Sequence, residues 1–110
     1  MRYREFGNTG IRVSALGFGC MRLPRDHDES VALLHRAMDL GVNYFDTAMG
    51  YLGGESEVML GKAVKGRRDQ VYLSTKNAVD EWTNASWRRR LESSLTKLDT
   101  DYIDFYAVVH

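Results

Sequence analysis

Short apolar runs alternate along this chain with longer stretches whose apolar residues recur at helical spacing. That rhythm predicts strands and helices in turn, and hence a parallel sheet. The opening differs: residues 2–6 and 11–13 alternate loosely about Gly7-Asn8-Thr9-Gly10, a turn signal that predicts a small hairpin. A first buried strand is expected over residues 15–21, bounded by glycine and then by Pro24. A helix follows, with Asp28 as its cap, Val31, Leu34 and Met38 on its inner face, and Gly41 as its stop. The unit repeats as a strand at 42–45, a helix at 55–64 ended by Gly66, and a strand at 71–74. A last helix begins at Thr83 or Asn84, carries Trp87, Leu91, Leu95 and Leu98 on one stripe, and leads into the β-prone run 102–109.

Two layouts share a strand–helix unit that returns after about 30 residues. A doubly wound sheet normally carries a dinucleotide fingerprint after its first strand, yet Gly17-Phe18-Gly19-Cys20-Met21-Arg22 has arginine where the third glycine belongs. Gly61-Lys62 is followed by Ala63 rather than serine or threonine, and no strand runs directly into it, so it makes no phosphate loop. What remains is α/β, the N-terminal half of a (β/α)8 TIM barrel: a short N-terminal β-hairpin plus about four β/α units in one incomplete domain, residues 1–110. A complete barrel takes about 250 residues and eight strands. The chain is therefore expected to be a fragment or truncated product whose unpaired sheet edges invite self-association.

Composition narrows the function classes. Fifteen basic residues against fifteen acidic ones leave no net charge, which suggests neither a nucleic-acid nor an anionic-membrane partner. No apolar run approaches the roughly 20 residues of a membrane span, and none follows the first five residues to form a signal peptide. One cysteine, Cys20, allows no internal disulfide and no cysteine-based metal site, so a reducing, cytoplasmic setting is expected.

Candidate chemistry gathers at the strand ends. Asp46, Lys76 and His110 each close an apolar run, and in a β/α barrel the C-terminal ends of neighbouring strands form one rim, where active sites lie. Tyr51 stands in the loop just beyond Asp46. Together the four make a proton-transfer set, because a phenol with a pKa of about 10 is a poor acid near neutrality unless a cation stabilises its anion. Lys76 can supply that cation, and Asp46 can hold the lysine charged and aimed. Each alone has a plainer role: a turn cap for Asp46, a solvated strand end for Lys76, a loop aromatic for Tyr51, a terminal histidine for His110. Their order and spacing favour the catalytic reading. By contrast Cys20 reads as a small buried hydrophobe, His27 and His35 as surface residues, Arg88-Arg89-Arg90 as a solvated helix face, and Trp82 as a loop residue that needs no cofactor, with a substrate-pocket wall as the less favoured alternative.

The segment Gly41-Val42-Asn43-Tyr44-Phe45-Asp46-Thr47-Ala48, with Tyr51, Gly54-Glu55-Ser56-Glu57 and Leu60-Gly61-Lys62-Ala63, resembles the signature of the aldo-keto reductases. Tyr3 to Gly10, Val13-Ser14, Leu16-Gly17-Phe18-Gly19, Ser74-Thr75-Lys76 and the stretch from Leu95 through Asp104 to His110 match that family in the same order. The run from Gly19 to Pro24 is most similar to a bacterial branch whose longer members carry an iron–sulfur region, of which nothing is found here, so no cluster is expected. The resemblance implies hydride transfer from NADPH, or NADH, to an aldehyde or ketone, with Tyr51 as proton donor and His110 orienting the carbonyl. It further implies that Asp46 and Lys76 tune the tyrosine, and that Gly19, Cys20 and Met21, with Asp46, contact the nicotinamide end of the cofactor. The parts that grip the rest of the cofactor belong to later strands, so the short chain is expected to be inactive alone. One alternative is a non-catalytic half-barrel that binds a partner through its edges. Another is a metal site of Asp46, His110 and Glu57, disfavoured because no paired-histidine or Glu-x-x-His pattern is present.

Overall fold

The loose alternation at the start folds as a hairpin in the computed structural model, which describes residues 1–109. β1 (Tyr3–Glu5) and β2 (Arg12–Ser14) pair antiparallel. Gly7 and Gly10 in the turn take positive φ, a region glycine enters without steric penalty. The hairpin is fastened to the main sheet by polar groups and by rings. Asn43 Oδ1 accepts the Ser14 N–H at 2.6 Å, and the Tyr3 hydroxyl donates to the Gly41 carbonyl at 2.7 Å. Phe6 lies 4.6 Å from the Phe105 ring and is stacked over Tyr44. Both partners lie at the starts of their strands, so the hairpin covers the N-terminal end of the sheet.

The sheet is parallel throughout, with β3 (Phe18–Gly19), β4 (Tyr44–Asp46), β5 (Tyr72–Ala78) and β6 (Phe105–Val109) side by side in that order. α1 (His27–Asp39), α2 (Glu55–Val64) and α3 (Asn84–Leu98) connect them, with α1 packed on α2 and α2 on α3. Sequential neighbours, parallel strands and helices in one layer make a partial (β/α) barrel. Its core lies between that layer and the sheet: Phe45 and Leu73 from the strands meet Leu34, Met59, Leu60, Ala63, Val64 and Leu98 from the helices. Each fully buried large side chain contributes about 1.5–3 kcal/mol of transfer free energy.

Several boundaries differ from the apolar pattern. The strand expected over 15–21 shortens to two residues: among the described residues β3 is an edge strand paired only with β4. Asp26, not Asp28, caps α1, its side chain accepting the Glu29 N–H at 2.9 Å. β5 extends past Lys76 to Ala78 because β6 pairs with it as far as Val109. Residues 102–104 are not strand: Asp104 Oδ2 accepts the Leu73 N–H at 2.8 Å and Arg68 at 2.9 Å, so a carboxylate replaces a ladder bond there. On α3 only Leu98 of the expected stripe is fully buried, and Trp87 is 37 % exposed, its edge against Tyr106.

Candidate active site

Strand alternation decides which residues face the rim. Along β5, Leu73, Thr75 and Asn77 are buried beneath the helices, which turns Ser74 and Lys76 to the opposite face. On β4 the buried Phe45 likewise leaves Tyr44 and Asp46 facing away from the helices. Asp46, at the end of β4, and Lys76, two residues before the end of β5, therefore meet on the barrel's inner side.

They meet closely. Lys76 Nζ donates to Asp46 Oδ2 at 2.6 Å and to the Thr47 carbonyl at 2.8 Å. It also lies 5.0 Å from the centroid of the Tyr51 ring, within cation–π reach. The Lys76 and Asp46 side chains are 23 % and 34 % exposed, so the pair is partly desolvated but open to solvent. Burial opposes the lysine's charge, yet the Asp46 hydrogen bond, the polar interaction with Tyr51 and the charges of both outweigh it and hold the Lys76 pKa above the ordinary lysine value.

Tyr51 is set in place by a tight one-turn helix, Tyr51–Gly54, whose first N–H donates to the Ala48 carbonyl at 3.2 Å. Within that turn Leu52 holds a left-handed backbone (φ 54°), a conformation that costs a non-glycine residue about 1–2 kcal/mol. Its side chain packs on the core, which offsets that strain. The loop is tied to β5 as well, through Thr47 N–H to the Ser74 carbonyl at 2.8 Å.

Of the residues expected near a cofactor, Gly19 and Met21 are exposed, and the space where a Gly19 side chain would stand is open. Cys20 between them is fully buried, its N–H bonded to the Asp46 carbonyl at 2.8 Å and its carbonyl accepting from Ser56 at 2.7 Å. Burial, reinforced by the Asp46 charge and partly offset by Lys76, pushes its thiol up to about 12. His110, the fourth expected site residue, lies outside the described residues. Glu57 is not at the rim. It is buried on the helix side of β5, where it accepts the Thr75 hydroxyl at 2.8 Å, away from the position a shared metal site with Asp46 requires. Among the described residues no three His, Cys, Asp or Glu side chains are grouped to hold a metal ion, and no helix is long and apolar enough to cross a membrane.

Two sequence readings need correction. His35 is not a plain surface residue: its Nε2 bonds the Ala63 carbonyl at 2.8 Å, joining α1 to α2, while His27 bridges Glu55 at 2.9 Å and Lys62 at 2.7 Å. Arg88 and Arg89 are solvated, but Arg90 is half-buried, ion-paired with Asp80 and 3.4 Å from Met49 Sδ.

The aldo/keto reductase family model matches residues 15–110. The chain belongs to the aldo/keto reductase family. It is 38 % identical to the aldo-keto reductase YhdN of Bacillus subtilis, over 98 % of this chain and 38 % of that protein. The structure of the aldo-keto reductase AKR11C1 from Bacillus halodurans superposes with a TM-score of 0.88 at 37 % identity, over 98 % of this chain and 40 % of that one. An aldo-keto reductase from Klebsiella pneumoniae solved in complex with NADPH superposes with a TM-score of 0.81 at 35 % identity, over 86 % of this chain and 34 % of that one. The chain thus spans about two fifths of the length of the relatives it matches.

Proposed function

We propose that the chain carries the proton-transfer centre of an NAD(P)H-dependent reductase of aldehydes or ketones, with Tyr51 as proton donor to the carbonyl oxygen. The observation that carries this reading is the contact of Lys76 with both Asp46 and Tyr51. An ammonium beside a phenol stabilises the phenolate left when the proton moves, which makes the phenol a better acid where charge develops on the substrate oxygen. Asp46 fixes the lysine's aim and protonation; His110 is proposed to orient the carbonyl from the other side.

The open space at Gly19 and the exposed Met21 fit a flat ring lying at the end of β3 beside Asp46, so these residues, with the backbone at Cys20, are proposed to hold the nicotinamide end. NADPH, as in the Klebsiella relative, supplies the hydride when bound. Turnover is proposed to need the remaining strands of the barrel, from the same or another polypeptide. A second reading rests on β6, which among the described residues has one strand neighbour and exposes Val108 and Val109. That edge can add a strand from a partner without catalysis.

The test is NADPH consumption with a panel of small aldehydes, run on the 110-residue chain and on a chimera joining it to the remainder of YhdN. Turnover by the chimera is the expected result. A folded chimera that binds NADPH yet reduces none of the panel contradicts the carbonyl-reductase reading.

A further inference from the structure

The helix–sheet layer changes character along its height. Toward the N-terminal ends of the strands it is apolar, built of Phe45, Leu73, Leu60 and Val64. At the C-terminal ends it holds Thr47, Ser56, Glu57, Thr75 and Asn77, all fully buried. Asn77 reaches the Trp87 carbonyl of α3 at 3.4 Å, and the other four are organised around the first turn of α2. Ser56 Oγ donates to the Cys20 carbonyl at 2.7 Å and shares a hydrogen bond with Thr47 Oγ1, also at 2.7 Å. The next residue, Glu57, accepts the Thr75 hydroxyl at 2.8 Å through Oε2.

Two consecutive helix residues thus grip the ends of β3 and β4 and the middle of β5, and every gripped residue adjoins the candidate site. Cys20 follows β3 and donates its N–H to Asp46. Thr47 follows Asp46, and its own carbonyl receives Lys76 Nζ. Thr75 immediately precedes Lys76. The arrangement is costly: among the described residues Glu57 Oε1 is buried without a hydrogen-bond partner, where an apolar filling would leave no polar atom desolvated. Other buried polar groups occur along α3, such as Ser94, but only this set joins one helix turn to residues on or next to three strands beneath the rim, among the described residues.

We propose that Ser56 and Glu57 are positioning residues, a clip that fixes the relative heights of β3, β4 and β5 and so holds Lys76 against Asp46 and Tyr51. The proposal deepens the catalytic reading and rests on it for its purpose, but the clip itself can be tested without cofactor or substrate. Displacing β5 by a fraction of an ångström lengthens the 2.6 Å Lys76–Asp46 bond, a charge-assisted contact that weakens steeply with distance.

The test reads the titration of the Lys76 amine by NMR in the 110-residue chain carrying isotope-labelled lysine. Among the described residues, the ionisable groups facing that amine are Asp46 from β4, Tyr51 from the loop after it, and the buried Cys20 thiol beyond β3. Thr75→Val removes only the hydroxyl that Glu57 grips, and Ser56→Ala removes the grip on Cys20 and Thr47. Either is expected to lower the Lys76 pKa by about half a unit or more, as its partners move away. Thr75→Ser is expected to restore it. Val64→Ala, which loosens the same helix at its far end, is expected to leave it unchanged. A folded Thr75→Val chain with the parental Lys76 pKa overturns the proposal, as does an equal shift in Val64→Ala. Should Thr75→Val fail to fold, Ser56→Ala is read by the same criterion. If the Lys76 shift occurs while Tyr51 proves dispensable for turnover in the chimera, the clip stands and the catalytic reading fails.

Discussion

Cys20 is the chain's one thiol, and its surroundings make it a reporter on the site. A thiol with a pKa of 9.0 is about one-tenth thiolate at pH 8, whereas one pushed to about 12 is ionised to about one part in ten thousand. The native thiol should therefore react with a disulfide reagent such as DTNB about a thousandfold more slowly than the unfolded chain. The burial that shields the thiol is also the largest cause of its raised pKa, so the two are one effect and not two. The Asp46 charge raises this pKa and the Lys76 charge lowers it. Asp46→Asn should then speed the reaction and Lys76→Met should slow it. Loosening of the fold by itself would speed both, so slowing in Lys76→Met is the discriminating outcome. A native rate within about tenfold of the unfolded rate, or faster reaction in Lys76→Met, would refute the reasoning.

Two further outcomes follow from the packing and the charges. A Cβ at Gly61 would lie 2.7 Å from the Lys97 carbonyl oxygen and 2.8 Å from Leu98 backbone atoms. Gly61→Ala should thus cost about 1–3 kcal/mol by overpacking, less the roughly 1 kcal/mol gained in helix propensity, measured by urea denaturation. Because the Lys76 pKa is raised on folding, its stabilisation is fully present below the ordinary lysine value and is lost as pH rises through the folded value. Denaturation midpoints above pH 10 should fall less steeply in Lys76→Met than in the parent.

The fold was legible because its information is repetitive. Leu34 and Leu98 on helical spacing, Phe45 and Leu73 in short apolar runs, and glycine at Gly41 and Gly66 mark elements that tertiary packing then confirms. Boundaries were less legible where a side chain or a neighbouring strand sets them. Asp104 replaces a ladder bond, and β5 extends to Ala78 only because β6 lies beside it. At the candidate site, the positions of Asp46 and Lys76 were readable from the runs they close. The roles of Ser56, Thr47 and Thr75 were not, since a buried hydroxyl and a solvated one look alike until the layer that encloses them is known. The adjacent pair Ser56-Glu57 opening an apolar helix was the available signal: at the entry of a helix, polar residues on its buried face need partners. Cys20 was expected to be buried, and its burial leaves Gly19 and Met21 as the open surface at the end of β3.

The central claim is that Tyr51 delivers the proton with Lys76 and Asp46 behind it. The most direct measurement is kcat for aldehyde reduction by the YhdN chimera, parent beside Tyr51→Phe. The account expects a loss of about a hundredfold to ten-thousandfold in kcat, with NADPH affinity unchanged. A Tyr51→Phe chimera that keeps the parent's kcat would contradict it.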